Sequence, residues 1–167
     1  GTTGTGDMTG VSASAASTAL QTITIGSGTL NATLGAGDPT STNVIAGASS
    51  VKVGQFNFAA TNSSYTVQNL AVLVPNGVAT SVTNVTLSYK DVNGVVCGNG
   101  TSSEPTNPVC PTQALAVNAA MPYATATFTG LTMYVPTNDS ANIDVFVGTP
   151  TIASGASSGA AINVLLD

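Results

Sequence analysis

The chain has no histidine and no tryptophan, and its only basic residues are Lys52 and Lys90. Charged residues make up 5% of it, against about 25% in an ordinary globular domain. Without histidine, no Ser-His-Asp or Cys-His nucleophile can be assembled. Ser-Lys chemistry would have to use Lys52 or Lys90, and nothing near either supports it. The seven carboxylates are scattered, several in turn-like stretches (Asp38, Asp91, Glu104, Asp139). They do not suggest the acid pair that flanks a sugar cleft. No DxDxD run offers clustered oxygen ligands to calcium. The nearest approach is Asp139 and Asp144 beside Asn138 and Asn142, read as solvated turn acids. The expectation is therefore not an enzyme, with no cofactor and no metal.

Other absences remove other partners. There is no basic patch, so nothing marks the chain for nucleic acid or anionic lipid. No apolar run approaches the ~18 residues of a membrane span. The longest, Leu70-Ala71-Val72-Leu73-Val74, is strand-sized. No basic stretch followed by an apolar core marks a signal peptide, and the opening Gly1-Thr2-Thr3-Gly4 is compatible with a mature terminus. The net charge is -5. Solubility then rests on hydroxyls, amides or glycans, or is given up to assembly.

What is present is Gly, Ala, Ser, Thr, Asn and Val in short runs of period two. Leu30, Ala32 and Leu34 alternate with Asn31 and Thr33. Ile23 and Ile25 do the same with Thr22 and Thr24. Further strands are expected at residues 51–60, 65–74, 85–89, 114–117, 123–129, 131–135, 142–147 and 162–166. Asn93-Gly94 favours a type I′ hairpin turn. No segment carries a 3.6-residue apolar stripe. About ten short antiparallel strands in one domain make an all-β fold, a single antiparallel β-sandwich of Ig-like or jelly-roll kind.

Residues 1–19 stand apart. They are small and nearly uncharged, and cannot bury enough area to order themselves. They are expected to form an extended N-terminal arm, a candidate donor strand with Val11, Ala13 and Ala15 pressed into a groove on another subunit. The alternative is a flexible linker. The sandwich domain would then span 20–167, and its C-terminal strand at 162–166 is the other candidate donor.

Cys97 and Cys110 are the only cysteines, with Gly98, Gly100, Pro105 and Pro108 between them. The expected role is a disulfide across an exposed loop in an oxidising compartment. Closing it gains about 3 kcal/mol in the chain-entropy model. Asn31, Asn62, Asn84, Asn99 and Asn138 each head an N-x-S/T sequon, candidates for N-glycosylation. Asn62, Asn99 and Asn138 fall in expected turns, and Asn84 on the polar side of a strand. Lys52 shares parity with Phe56 and Phe58 and so points inward, unless Gly54 marks a bulge that turns it out. Buried, it would need a partner, and some surface β-sandwiches that resemble this one join Lys to Asn or Asp in an isopeptide bond. Tyr65, Tyr89, Tyr123 and Tyr134 are the only candidates for a sugar platform.

Residues 28–167 resemble the sandwich modules of secreted bacterial and archaeal surface proteins. The resemblance rests on Gln55-Phe56-Asn57-Phe58-Ala59-Ala60, Tyr65-Thr66-Val67, Val82-Thr83-Asn84-Val85-Thr86-Leu87-Ser88-Tyr89 and Ile143-Asp144-Val145-Phe146-Val147. The composition is also similar to that of extracellular thread and pilus subunits, which assemble by donor-strand complementation. The resemblance implies a cell-surface, extracellular structural subunit, with identical subunits as partners and covalent glycans admitted by the sequons. The alternative is a non-polymerising S-layer or adhesin domain, including one that binds carbohydrate.

Overall fold

The computed structural model describes residues 3–5, 12–14, 27–40, 44–97 and 109–167. Among these the chain is mostly strand, every strand pairing is antiparallel, and there is no α-helix. The central sheet joins five strands in the order β3 (Thr29–Leu34), β4 (Val51–Thr61), β11 (Ser140–Gly148), β7 (Asn84–Ser88) and β8 (Thr112–Ala114). A second sheet has three, β12 (Leu165–Leu166), β6 (Leu70–Pro75) and β9 (Tyr123–Phe128). Two small pairs remain: β5 (Tyr65–Val67) with β10 (Met133–Val135), and β1 (Thr3–Thr5) with β2 (Ser12–Ser14).

Period-two alternation builds the core. Phe56, Phe58 and Ala60 on β4, Val85 and Leu87 on β7, and Ile143, Val145 and Val147 on β11 share one face. Leu70, Val72 and Val74 on β6, with Ala126 and Phe128 on β9, belong to the same buried cluster, as do Met133 and Val135 of β10. Each fully buried aliphatic or aromatic side chain stabilises the fold by roughly 1.5–3 kcal/mol relative to exposure.

The two main sheets meet along one side only. There the stretch after β8 bridges to β9, Ala116 opposite Thr125. On the other side the sheets do not close, and among the described residues β3 and β12 are the edge strands. The C-terminal stretch reaches this side by packing Ile162, Val164 and Leu166 onto the core. Its approach to β4 depends on a missing side chain, because a Cβ on Gly54 would lie 2.9 Å from Val164 Cγ2.

Most expected strands are present, with differences that have local causes. The run at 65–74 divides at Gln68-Asn69, since β5 pairs with β10 while β6 pairs with β9. The strand expected at 114–117 lies earlier, at Thr112–Ala114. The Asn93-Gly94 turn is not type I′, which needs positive φ at both residues. Only Gly94 is positive, at 75°. Asp91 Oδ1 accepts from the N–H groups of Asn93 and Val95 at 2.8 and 2.9 Å. That Asx bonding keeps Val92 and Asn93 at negative φ and leaves the left-handed position to Gly94. The strand expected around Ile23 and Ile25 lies outside the described residues.

A side chain at position 54 is expected to push the C-terminal stretch off β4. Gly54→Ala should cost about 1–3 kcal/mol in urea denaturation. Gly77→Ala, where no atom lies within 4 Å of the added methyl, should be close to neutral.

Candidate functional site

The most unusual surface is the open side of the fold. The pairing Leu30↔Ala60, Ala32↔Phe58 and Leu34↔Phe56 puts Leu30, Ala32 and Leu34 on the core-facing side of the central sheet. Yet every residue of β3 is exposed, Leu34 at 68%. The second sheet has only three strands against five, and none of them covers β3. Beyond the end of β3 the uncovered surface continues into an open cavity of about 960 Å³. Val44, Ile45, Val51, Ile152 and Ile162 line it, and Ile45 is 84% exposed. Leu165 points outward from β12, the opposite edge. Of the eleven large exposed apolar residues among those described, Leu30 and Leu34 lie on β3 and Val44, Ile45 and Ile152 line the cavity. Large apolar side chains left exposed on the core-facing side of a sheet mark an interaction site rather than ordinary surface scatter.

The outer face of the same sheet is polar and internally bonded. Asn57 Nδ2 donates to Asn142 Oδ1 at 2.8 Å, and Thr86 and Thr112 share a 2.8 Å hydroxyl bond. Gln55 is the hub: its Nε2 donates to Asp144 Oδ1 at 2.7 Å, and its Oε1 accepts from Gly37 N–H at 2.7 Å. Its own N–H donates to Asp38 Oδ1 at 2.9 Å. These bonds pin the loop after β3 to the centre of the sheet and so fix where the open edge stands.

Lys52 belongs to this outer face. Val145 pairs with Gly54 and Phe146 with Lys52, so Val53 is left without a partner on β11. That bulge turns Lys52 outward. Its Nζ lies 2.8 Å from Asp144 Oδ1, with both side chains about 30% exposed. A pair this wet contributes at most ~1 kcal/mol. Asp139 is elsewhere engaged, its Oδ1 accepting from Ser140 N–H at 2.7 Å.

The disulfide joins Cys97 to Cys110, their Cα atoms 4.7 Å apart. Both cysteines are buried. Cys97 N–H donates to Tyr89 O, and Leu87 N–H donates to Pro111 O. The bond thus anchors β8 beside β7 as well as closing the loop.

The other sequence candidates divide. Val11 and Ala15 lie outside the described residues, and Ala13 is paired with Gly4 in the β1–β2 hairpin. Asn99 also lies outside them. Asn31 is exposed on β3, on the face opposite Leu30. Asn62 is exposed in a left-handed turn at φ 63°. Asn84 Oδ1 accepts from Gly148 N–H at 3.2 Å, and Asn138 Oδ1 from Asn62 N–H at 2.8 Å. Asn31 and Asn62 therefore present the freer acceptor amides. Tyr65 and Tyr89 pack against the core, which removes them from any sugar platform. The sequence reading missed the open side itself. Its signal was there, since Leu30 and Leu34 are apolar on the face that β4 turns inward. Comparison with protein-family models, with curated proteins and with solved structures finds no match.

Three outcomes follow. Replacing both cysteines by serine should cost about 3 kcal/mol in denaturant unfolding. The intact mass should lie about 2 Da below the reduced chain, with no further loss of about 17–18 Da from a Lys52 amide, and Lys52→Met should change stability by less than ~1 kcal/mol.

Proposed function

We propose that this chain is a secreted structural subunit, one antiparallel β-sandwich that polymerises head to tail into an extracellular, pilus- or thread-like filament. Each subunit takes a terminal β-strand from its neighbour. The observation that carries this reading is the uncovered apolar side of β3, with Leu34 at 68% exposure beside buried Phe56. The sandwich is one strand short over β3, and a strand from another chain would supply the missing layer. Strand addition gives affinity through main-chain bonds and selectivity through alternate side chains. A contact between two different surfaces of the same chain does not close on itself unless the rotation forms a ring, so it extends as a fibre. Few charges, a disulfide and accessible sequons support an extracellular, cell-surface setting.

The β1–β2 pairing favours a second reading. An arm paired with itself is not free to be donated, and the domain would then be a non-polymerising surface module of S-layer or adhesin type.

Negative-stain electron microscopy of the intact chain should show filaments. Leu34→Asp should abolish them while leaving the circular dichroism of the monomer unchanged, because Leu34 contributes little to its own core. Monomers from the intact chain at every concentration would reject the filament reading in favour of the surface module.

A further inference from the structure

We infer that β3 is a pairing edge for a second copy of this chain: two β3 strands, antiparallel and centred on Ala32, join two central sheets into one. The contact goes beyond the filament reading and does not need it. Strand donation covers the apolar side of β3, whereas this contact uses its backbone edge.

Among the described residues β3 is an edge strand, and all six of its residues are exposed. Natural edge strands are guarded by short length, charge, proline or a bulge. The opposite edge of the central sheet, β8, has three residues and follows Pro111. The edge strand β12 has two. β3 has six, with no charged side chain and no proline, and its register with β4 runs without a shift.

Its outward backbone groups can be assigned. Gly35 N–H donates to Gln55 O at 2.8 Å, one step beyond the Leu34↔Phe56 pair. Antiparallel alternation then turns the N–H and C=O of Thr29, Asn31 and Thr33 toward β4, and those of Leu30, Ala32 and Leu34 away from it. A second β3 running antiparallel engages all three outward residues in one register. Leu30 lies opposite Leu34, Ala32 opposite Ala32, and each pair exchanges both main-chain bonds. A shift of two residues would set Leu34 against Gly28, or Leu30 against Ala36, outside the strand.

That register also matches the side chains, which is why the occupant is a second copy. Thr29-Leu30-Asn31-Ala32-Thr33-Leu34 is close to symmetric about Ala32. Antiparallel pairing keeps each face with its like, so the leucines and Ala32 methyls of both copies form one apolar strip on the core-facing side. Asn31 meets Thr33 on the polar side. The contact is isologous and closes on two chains. A single strand edge is far smaller than the ~1,200 Å² of a stable interface, so free chains pair weakly and reversibly. Chains already held side by side in a larger assembly pair more readily, through their raised effective concentration.

The test traps the register in full-length chains. Asn31 and Thr33 of the two copies form a non-hydrogen-bonded pair, with Cα atoms ~4.5 Å apart, within disulfide reach. Asn31→Cys and Thr33→Cys chains, mixed under mild oxidation, should give a covalent heterodimer on non-reducing denaturing gels. Neither chain alone should give a dimer, because like positions lie on the diagonal, ~7–8 Å apart. Cys97 and Cys110 are buried and bonded to each other, so the added thiols report the contact. Ala32→Pro, placed in both chains, should abolish the crosslink and leave the circular dichroism unchanged, since the N–H it removes faces away from β4. No heterodimer at any chain concentration would overturn the inference. So would a homodimer from either chain alone that forms as readily, or a crosslink that survives Ala32→Pro. Each readout is independent of whether the intact chain forms filaments.

Discussion

The pairing of β4 with β11 holds everything else in place. It is the longest ladder among the described residues and runs through the central sheet. It fixes one face as Phe56, Phe58, Ile143, Val145 and Val147, and the other as Gln55, Asn57, Asn142 and Asp144. A shift of register by one residue would exchange those sets. The apolar set admits the second sheet, and the polar set bonds across strands and ties down the loop that follows β3. The bulge at Val53 ends the strict alternation where Lys52 would otherwise enter the core. One pairing thus decides both the interior and the chemistry of the exposed sheet.

Hydrogen bonds between neutral groups carry much of the work that ion pairs do elsewhere. Among the described residues the Lys52–Asp144 pair is joined by Asn57–Asn142, Thr86–Thr112 and Gln55–Gly37. Each of these neutral bonds contributes roughly 0.5–1.5 kcal/mol. Such bonds are local and directional, and they specify register more than they add stability. The apolar cluster supplies the stability, and the disulfide constrains the long connection between β7 and β8.

Much of the strand inventory was legible in the sequence, because half-buried strands write their period directly into residue type. Phe56 and Phe58 read as inward-facing and are core, and the strand expected at 142–147 lies within β11, with Ile143, Val145 and Val147 buried. The cysteine pair was legible for the same kind of reason, two thiols around a Gly- and Pro-bearing loop. What was not legible depended on contacts distant in sequence. The division of residues 65–74 depends on which partner each half finds. The turn at 91–95 depends on how the Asp91 side chain spends its lone pairs. The open side was hidden by the rule that alternation means burial: Leu30, Ala32 and Leu34 alternate correctly yet stay exposed, because the opposite sheet stops short of them.

That shortfall separates two kinds of constraint on the chain. Phe58 or Val145 cannot change without harming the subunit that carries it. Leu30 and Leu34 can, since a single chain buries neither. Whatever keeps large aliphatic residues at those two positions must act outside the single folded chain. Variation among related sequences would reveal it: drift toward Ser, Thr and Asn at 30 and 34 would mark a chain that works alone. Retention of Leu, Ile or Val there would mark an interior that exists only between molecules.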